Sequence, residues 1–384
     1  MRSRSSLTVD VVRTTAGLLG LRDEWNALEE SARVQLPFRT FAWNAAWWST
    51  LREDKLAVSD TLALRTVREE RTGRLVGIAP LLLTAVPGRG PFRARELQFF
   101  GADPNITEVR GVVCALEDEA RVHAALCDDL LAHADEWDWV SWEGISGWEV
   151  PGAPPPGLRW RGEIENYMLR LGGSWPDLRA RGSRNLKESL RKCYNSLRRD
   201  SLTYELHTAV TWDEVEPGLD LFFQLHAART VLNPQHADVF AAPKSREFLR
   251  DVCRRFCDRG QMRVFVLRVG KVQVAVRLGF ALSGSLYLYY SGFDPAYGRY
   301  SVMTTCLAEA IRYAIAEGFS SVDLSTGTDV SKTRWRPERF VYRSAEQVSP
   351  NARSQMVRGG YSLARRAMEA SHLGDMARKL LGRR

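Results

Sequence analysis

Apolar and polar residues alternate along the second half of the chain in a pattern that predicts three consecutive strands. Within residues 261–293 the alternation has a period of two, and short polar pairs at 270–271 and 283–284 interrupt it as hairpin turns. The third strand, around 286–291, carries leucine or tyrosine on both faces, as a buried central strand does. From Val302 the spacing changes to three and four residues until Gly318, which indicates an amphipathic helix.

The turn between the third strand and this helix is predicted to receive an anion. Glycine and proline residues interrupt regular structure at 292–298, and Arg299 adds a cation just before the helix. The first amides of a helix have no intrahelical partner and lie at the positive end of the helix dipole. A pyrophosphate would therefore meet several donors. These are the guanidinium and the backbone amides of Arg299, Tyr300, Ser301 and Val302.

The chain is expected to fold as two domains, because 384 residues exceed what one compact core usually spans. In the first half the pattern predicts a strand at 7–14, helices at 18–32 and 38–51, a hairpin of 61–69 with 74–86, a helix at 120–137 and a strand at 137–145. Prolines and glycines then concentrate in a segment that suits a linker. The predicted organisation is a first domain at 7–150, a linker at 151–163, a second domain at 164–348 and a tail at 350–384.

Composition and charge limit the class of protein. The chain lacks an apolar run long enough to cross a bilayer and its first residues lack a signal-peptide core, so a cytoplasmic location is expected. Six cysteines show no zinc-type spacing with histidines, so no metal is predicted.

Of the net charge of +8, the tail holds +6, from eight basic and two acidic residues. Leu373, Met376 and Leu380 would share one face of a helix there, so peripheral membrane contact, docking on the second domain and disorder all stay open.

Four segments carry a family resemblance: GFDPAYGRYS, AEAIRYAIAEGFSSVDLSTG, KTRW and SRNLKESLRKCYNSLRRD. They resemble the GCN5-related N-acetyltransferase (GNAT) superfamily, especially tandem-domain members related to the CelD proteins of cellulose biosynthesis and to FemX-type aminoacyltransferases. Val302 and Met303 stand where the superfamily commonly has small residues. The resemblance implies an α/β (α+β) fold of two tandem domains, each a mixed, mainly antiparallel sheet flanked by helices. The first domain would be a degenerate copy, since it lacks a phosphate turn.

The resemblance also implies where acyl-coenzyme A would bind. In that fold the strand before the phosphate turn splays away from the strand that follows the helix, and the acyl-pantetheine arm lies between them. Tyr290, Ser291 and Gly292 would flank the thioester on one side. Ser325, with its neighbours Leu324 and Thr326, would flank it on the other.

Three residues are candidates for the chemistry of acyl transfer, which needs a base and a stabiliser of the oxyanion. Asp323, at the end of its strand, is the first candidate base, and capping of the loop that follows is its structural alternative. His226 is the second candidate base, and its alternative is a buried histidine among aromatic residues. The resemblance places Lys332 near the acceptor, and its alternative is a solvent-exposed lysine.

Three functions remain open at this stage. One is transfer of an acyl group from acyl-CoA to an amine or hydroxyl of a small-molecule, sugar or polysaccharide-precursor acceptor. The others are a FemX-like transferase that uses aminoacyl-tRNA, and a non-catalytic accessory protein of exopolysaccharide assembly. The basic helix at 184–198 is either a solvated surface or a binder of a nucleotide-sugar diphosphate, a tRNA acceptor stem or the 3′-phosphate of coenzyme A. Other nucleic-acid binding is not expected, because the chain has no recognisable reading module.

Overall fold

The computed structural model of the chain describes residues 6–88, 93–103, 105–146, 158–232 and 238–370. These residues form two compact units. Unit 1 runs to Val34, continues through Phe38–Ile164 and resumes at Val341. Unit 2 consists of Glu165–Phe340 together with Gln35–Pro37. Apart from Gln35–Pro37, the chain therefore leaves unit 1 once, after Ile164, and returns to it at Val341.

Helices and strands alternate along both halves of the chain. The elements before residue 147 are β1 (Leu7–Val12), α1 (Thr15–Gly20), α2 (Arg22–Ser31), α3 (Phe41–Thr50), β2 (Ser59–Leu62), β3 (Leu64–Glu69), β4 (Leu75–Ala79), β5 (Leu81–Val86), β6 (Ala94–Phe99), β7 (Val113–Cys114), α4 (Glu119–Ala132) and β8 (Trp139–Ile145). The elements after residue 157 are β9 (Leu158–Arg170), α5 (Trp175–Arg181), α6 (Arg184–Arg199), β10 (Tyr204–Ala209), α7 (Trp212–Leu232), α8 (Pro243–Cys257), β11 (Met262–Val269), β12 (Val272–Leu282), β13 (Ser285–Phe293), α9 (Val302–Ala316), β14 (Ser321–Thr326), α10 (Val330–Thr333), β15 (Glu338–Val348) and α11 (Ala352–Ala370).

Unit 1 contains two groups of hydrogen-bonded strands. One has the order β1-β3-β4-β7, and the other includes the order β15-β8-β6-β5-β2. The predicted hairpin of 61–69 with 74–86 is only partly right, because each predicted strand is divided between the two groups. Pro80 separates β4 from β5, since proline has no N–H to continue a ladder. Strand β6, which the sequence analysis did not predict, pairs in parallel with β8.

The sheet of unit 2 has the order β10-β11-β12-β13-β14-β9. The three predicted antiparallel strands are confirmed as β11, β12 and β13, and β13 pairs in parallel with β14. Gly270 and Gly284 have positive φ angles of 58° and 76° in the two hairpin turns, a conformation that glycine adopts without steric cost. Strand β10 was not predicted. The mixed α/β fold with sheets flanked by helices is confirmed.

A β-bulge interrupts β13 beside the predicted site. Gly279 pairs with Leu288 and Arg277 with Ser291, so β12 advances two residues while β13 advances three. Because side chains alternate between the faces of a strand, the extra residue reverses the alternation. Leu286 and Leu288 accordingly belong to the core cluster that includes α9, whereas Gly292 lies against α7.

The predicted domain limits remain predictions, and the structure differs from them in two places. Residues 151–157 of the predicted linker lie outside the described residues, whereas 158–163 are part of β9. Residues 341–348, predicted to end the second domain, belong to unit 1. The predicted tail starts as α11, and its interfacial face at 373–380 lies outside the described residues. Across the described ranges, every helix is too short or too polar to span a membrane.

Candidate active site

Strands β13 and β14 form a fork at the centre of the unit 2 sheet. They pair in parallel only from Ser285 with Ser321 to Tyr287 with Asp323. Beyond that level β13 continues to Phe293, still paired with β12, while β14 shifts register against β9. Within the described residues, the ladder between β13 and β14 therefore ends at Tyr287 and Asp323, and the two strands diverge beyond it. An extended chain with amide groups could add to such an edge as a strand does.

The open part of the fork is bordered by the residues that the resemblance implied. Ser291 is buried and Tyr290 half-buried on the β13 side. Gly292 packs so closely on α7 that an added Cβ would lie 2.5 Å from the backbone nitrogen of His226. On the β14 side, Ser325 has a left-handed φ of 65° at the register shift, which turns the chain out of the strand.

The predicted phosphate turn connects the end of β13 to α9. Asp294 caps the turn by accepting a hydrogen bond from the Ala296 amide, and Ser301 adopts a left-handed conformation with φ 54°. In the described structure the Ser301 side chain makes no capping bond to α9, so the first amides of the helix have no side-chain cap. The side chain of Val302 points into the core, with the residue only 1% exposed. Met303, the other bulky residue at this position, is partly buried against the same core cluster.

Arg299 is held beside this turn by an aromatic and an acidic partner. Its guanidinium lies 4.7 Å from the centre of the Tyr300 ring and its Nη2 donates to the Tyr300 hydroxyl at 2.5 Å. Tyr300 is buried and donates in turn to Asp200 Oδ2 at 2.8 Å. Nη2 of Arg299 is 3.9 Å from the same carboxylate oxygen, yet the side chain remains 73% exposed. The guanidinium is thus oriented and also accessible to an anion.

Asp323 is completely buried at the closed end of the fork. Its Oδ2 accepts a hydrogen bond from Asn166 Nδ2 at 2.7 Å, and its Oδ1 accepts one from the Ser325 amide at 2.8 Å. Burial raises the pKa of Asp323 to about 6, although these two bonds and the charge of Lys332 oppose the rise. A carboxyl group with a pKa near neutrality can exchange a proton at physiological pH.

Lys332 lies on the short helix α10 and is joined to Asp323 through Ser325. Its Nζ donates to Ser325 Oγ at 3.1 Å and also to the carbonyl oxygen of Thr326. Because Ser325 also donates its amide to Asp323, the structure links the lysine and the aspartate through one residue of the fork. Lys332 is half-buried, so it is not the freely solvated lysine of the structural alternative.

His226 lies at a different level of the fork from Asp323. Its Nδ1 is 3.1 Å from the carbonyl oxygen of Ser291, and its Nε2 is 3.7 Å from Asp238 Oδ1. Ser291 is four residues beyond Tyr287, the partner of Asp323, which corresponds to roughly 13 Å along the strand. The rings of Phe222, Phe240 and Tyr290 surround the imidazole. His226 therefore lies beside the open part of the fork, and Asp323 at its closed end.

Three further residues support the site and were missed in the sequence. Asn166 reaches Asp323 from β9, and Asp200 reaches Tyr300 from the end of α6; no local pattern marks either contact. Arg334 could have been noticed, because it is part of the KTRW segment. Its guanidinium donates to Thr304 Oγ1 on the first turn of α9 at 3.2 Å and to Ser189 Oγ at 3.1 Å. Partial burial lowers the pKa of Arg334, and the charge of Asp329 opposes this effect.

Known proteins resemble this chain in sequence over part of its length and in fold. Residues 184–335 match the family model described as an acetyltransferase (GNAT) domain. A crystal structure of FemX aligns with 78% of this chain and 94% of its own, at 12% identity and a TM-score of 0.51. A conserved protein of unknown function from Bacteroides thetaiotaomicron VPI-5482 aligns with 89% of this chain and 100% of its own, at 13% identity and a TM-score of 0.51.

A comparison with curated protein sequences gives no significant match. At 12–13% identity the two structures show a common fold and nothing about substrates. The resemblance to CelD proteins remains a prediction. Residues 184–335, all within unit 2, are thus similar in sequence to the acetyltransferase (GNAT) domain, and the chain is similar in fold to FemX.

Proposed function

We propose that unit 2 transfers an acyl group from acyl-CoA to an amine or hydroxyl of a small-molecule, sugar or polysaccharide-precursor acceptor. The observation that carries the proposal is the fork of β13 and β14 with the start of α9 at the end of β13. The edge of β13 can pair with the amides of the pantetheine arm. The first amides of α9 and the Arg299 guanidinium can bind the pyrophosphate.

In the proposed reaction, the acceptor nitrogen or oxygen attacks the thioester carbonyl carbon and the carbon–sulfur bond breaks. The acceptor loses one proton and coenzyme A leaves as a thiolate, which then takes up a proton. Asp323 is the proposed base, because its raised pKa suits proton uptake near neutral pH. Lys332 would counter the charge of the oxyanion from its position on Ser325 and Thr326.

The alternative base is His226. Its Nδ1 can donate to the Ser291 carbonyl, which leaves Nε2 as the acceptor in that tautomer. The carboxylate of Asp238 near Nε2 would stabilise the imidazolium once a proton had been taken up. Comparison of Asp323→Asn with His226→Gln in acyl-transfer assays distinguishes the two, since only loss of the true base lowers kcat steeply.

Calorimetry with coenzyme A tests the proposed binding site. We predict that Arg299→Ala weakens coenzyme A binding about ten- to a hundredfold, because one charge-assisted contact worth about 1.5–3 kcal/mol is lost. Arg268→Ala is the matched control, since Arg268 is an exposed arginine of β11 outside the fork and the turn. Equal affinity of both variants and the parent protein would remove Arg299 from the site.

Measurements of donor binding and turnover separate the three candidate functions. Binding of acetyl-CoA followed by release of free thiol with an added amine or sugar acceptor would support acyl transfer. Turnover with aminoacyl-tRNA in the absence of coenzyme A would instead support the FemX-like function. Failure to bind either donor would support the non-catalytic accessory role in exopolysaccharide assembly.

A further inference from the structure

A large basic groove lies on unit 2, formed by α5, α6 and the start of β10. Its volume is about 1320 Å³. The basic side chains that line it are Arg179, Arg184, Lys187, Arg191, Arg198 and Arg312, and Glu188 is the one acidic residue of the lining. Six positive charges and one negative charge leave the lining at +5. Asp323, Lys332, His226 and Arg299 are not among its lining residues.

Only two of these six cations form ion pairs among the described residues. Arg184 pairs with Glu188 at 3.0 Å, and Arg312 pairs with Glu309 at 3.1 Å. For Arg179, Lys187, Arg191 and Arg198, no carboxylate of the described residues lies within ion-pair distance, and Lys187 donates instead to the Ala180 carbonyl. Uncompensated cations on the walls of a groove concentrate the positive potential inside it. A ligand with several negative charges would gain most from this field.

The cations of α6 follow one side of the helix along its length. Residues 184, 187, 191 and 198 are separated by three, four and seven positions, which correspond to about 4.5, 6 and 10.5 Å along the helix axis. Such spacing suits a linear ligand whose negative charges recur at intervals of several ångströms. Five of the six cations of the groove are arginines, which bind phosphate oxygens in pairs through the planar guanidinium.

Aromatic residues complete the groove and are held rigidly. Tyr194 and Tyr204 stack with ring centres 5.6 Å apart, and both hydroxyls donate to Glu309 Oε1, at 2.7 and 3.5 Å. Trp175 lies at another wall, with the Arg312 guanidinium 5.9 Å from its ring centre. A concave surface with fixed aromatic walls suits a strand-like ligand better than the flat surface of a membrane.

We propose that this basic groove binds a linear polyanion whose negative charges are linked phosphate groups. The proposal does not depend on acyl transfer, since the lining residues of the groove differ from the residues assigned to that reaction. The probe is a fluorescent single-stranded oligothymidylate, whose affinity for the full chain is measured by fluorescence anisotropy at several salt concentrations. Inorganic polyphosphate serves as a competitor, and its success would show that the phosphate chain is recognised without the bases.

Charge removal in the groove should weaken binding and lower its salt dependence. Arg191→Gln with Arg198→Gln removes two of the unneutralised cations, and we expect the slope of log K against log salt to fall by about 1.4. The matched control is Arg268→Gln with Lys271→Gln, which removes the same charge from exposed positions of unit 2 outside the groove. The control should bind as the parent protein does, and thermal unfolding of all variants checks that they are folded.

Several outcomes would overturn the proposal. These are the absence of oligothymidylate binding, equal weakening in the control, and binding that competes with polyglutamate but not with polyphosphate. Binding to vesicles of anionic phospholipid that depends on Arg191 and Arg198, without binding to oligothymidylate, would assign the surface to a membrane instead.

Discussion

At the scale of single residues, Asp323 combines a structural contact with the properties of a base. Its Oδ1 accepts a hydrogen bond from the Ser325 amide. This bond supports the left-handed conformation of Ser325 near the end of β14. Its complete burial raises its pKa to about 6. The structural contact would survive replacement by asparagine through the remaining carbonyl oxygen, whereas the titration would not. Comparison of the parent protein with Asp323→Asn at several pH values therefore separates the structural role from the role as a base.

The pH dependence of stability should change in Asp323→Asn. The pKa of Asp323 is about 6 in the folded protein against an ordinary value of 3.8, so between these values the folded form retains a proton that the unfolded chain has lost. This group therefore favours folding below about pH 4 and loses up to about 3 kcal/mol of that contribution as pH rises through 6. The melting temperature of the parent should fall relative to the variant between pH 4 and 7.

The activity of the same variant tests the catalytic assignment. If Asp323 is the base, turnover by the folded variant should fall about 10²- to 10⁴-fold while coenzyme A affinity is unchanged. The rate of the parent protein should then rise with pH around an apparent pKa near 6. Full turnover per folded molecule of the variant would assign the proton transfer to another group, His226 first.

At the scale of elements, the site depends on the close approach of α7 to β13. The bulge in β13 turns Gly292 toward α7, and an added Cβ would meet the His226 backbone nitrogen at 2.5 Å and the Leu225 carbonyl carbon at 2.6 Å. Backbone atoms within packed elements cannot yield as a flexible side-chain end can. Gly292 therefore fixes the distance between the two elements and, with it, the position of His226 beside Ser291.

Replacement of Gly292 by alanine should separate these elements. We expect a loss of about 1–3 kcal/mol in the free energy of unfolding, because overpacking of this size strains a packed interface. Gly298→Ala is the matched control: its new Cβ would lie 3.8 Å from the nearest atom, Phe293 Cε2. Chemical denaturation of both variants measures the difference. Equal stability of Gly292→Ala and Gly298→Ala would show that α7 shifts without strain.

At the scale of the whole molecule, unit 1 is discontinuous in sequence. Strand β8 pairs with β15, from Arg343 with Ile145 to Val348 with Trp139. Helix α11 is anchored to the same unit by Arg353, whose guanidinium lies 2.8 Å from the buried carboxylate of Asp138. Strand β15 and helix α11 therefore belong to the same unit as the elements before residue 147.

This arrangement predicts how a cut chain behaves. A specific protease site inserted within residues 151–157 should give two fragments that co-elute in native size-exclusion chromatography. They should separate only in denaturant, because the C-terminal fragment retains β15 and α11 of unit 1. A matched chain that ends at residue 340 and carries the same site provides the control, since it lacks these elements. Separation of the full-length fragments in native buffer would contradict the prediction.

The sequence by itself determined the elements whose residues interact locally. The hairpins of β11, β12 and β13 follow from alternation and from short turns, and α9 follows from apolar spacing that ends near Gly318. The residues 292–301 could be recognised as a turn before a helix because glycine and proline act on the backbone locally. The likeness to the acetyltransferase domain rests on these same contiguous segments.

Only the tertiary structure decided what depends on residues far apart in the chain. The division of 61–69 and 74–86 between two groups of strands, and the pairing of β8 with both β6 and β15, are set by long-range partners that no local pattern encodes. The same is true of Asn166 beside Asp323, 157 residues apart, and of Asp200 beside Tyr300. The periodicity of apolar residues predicts which face of an element is buried. Which other element packs against that face depends on the packing of the whole chain.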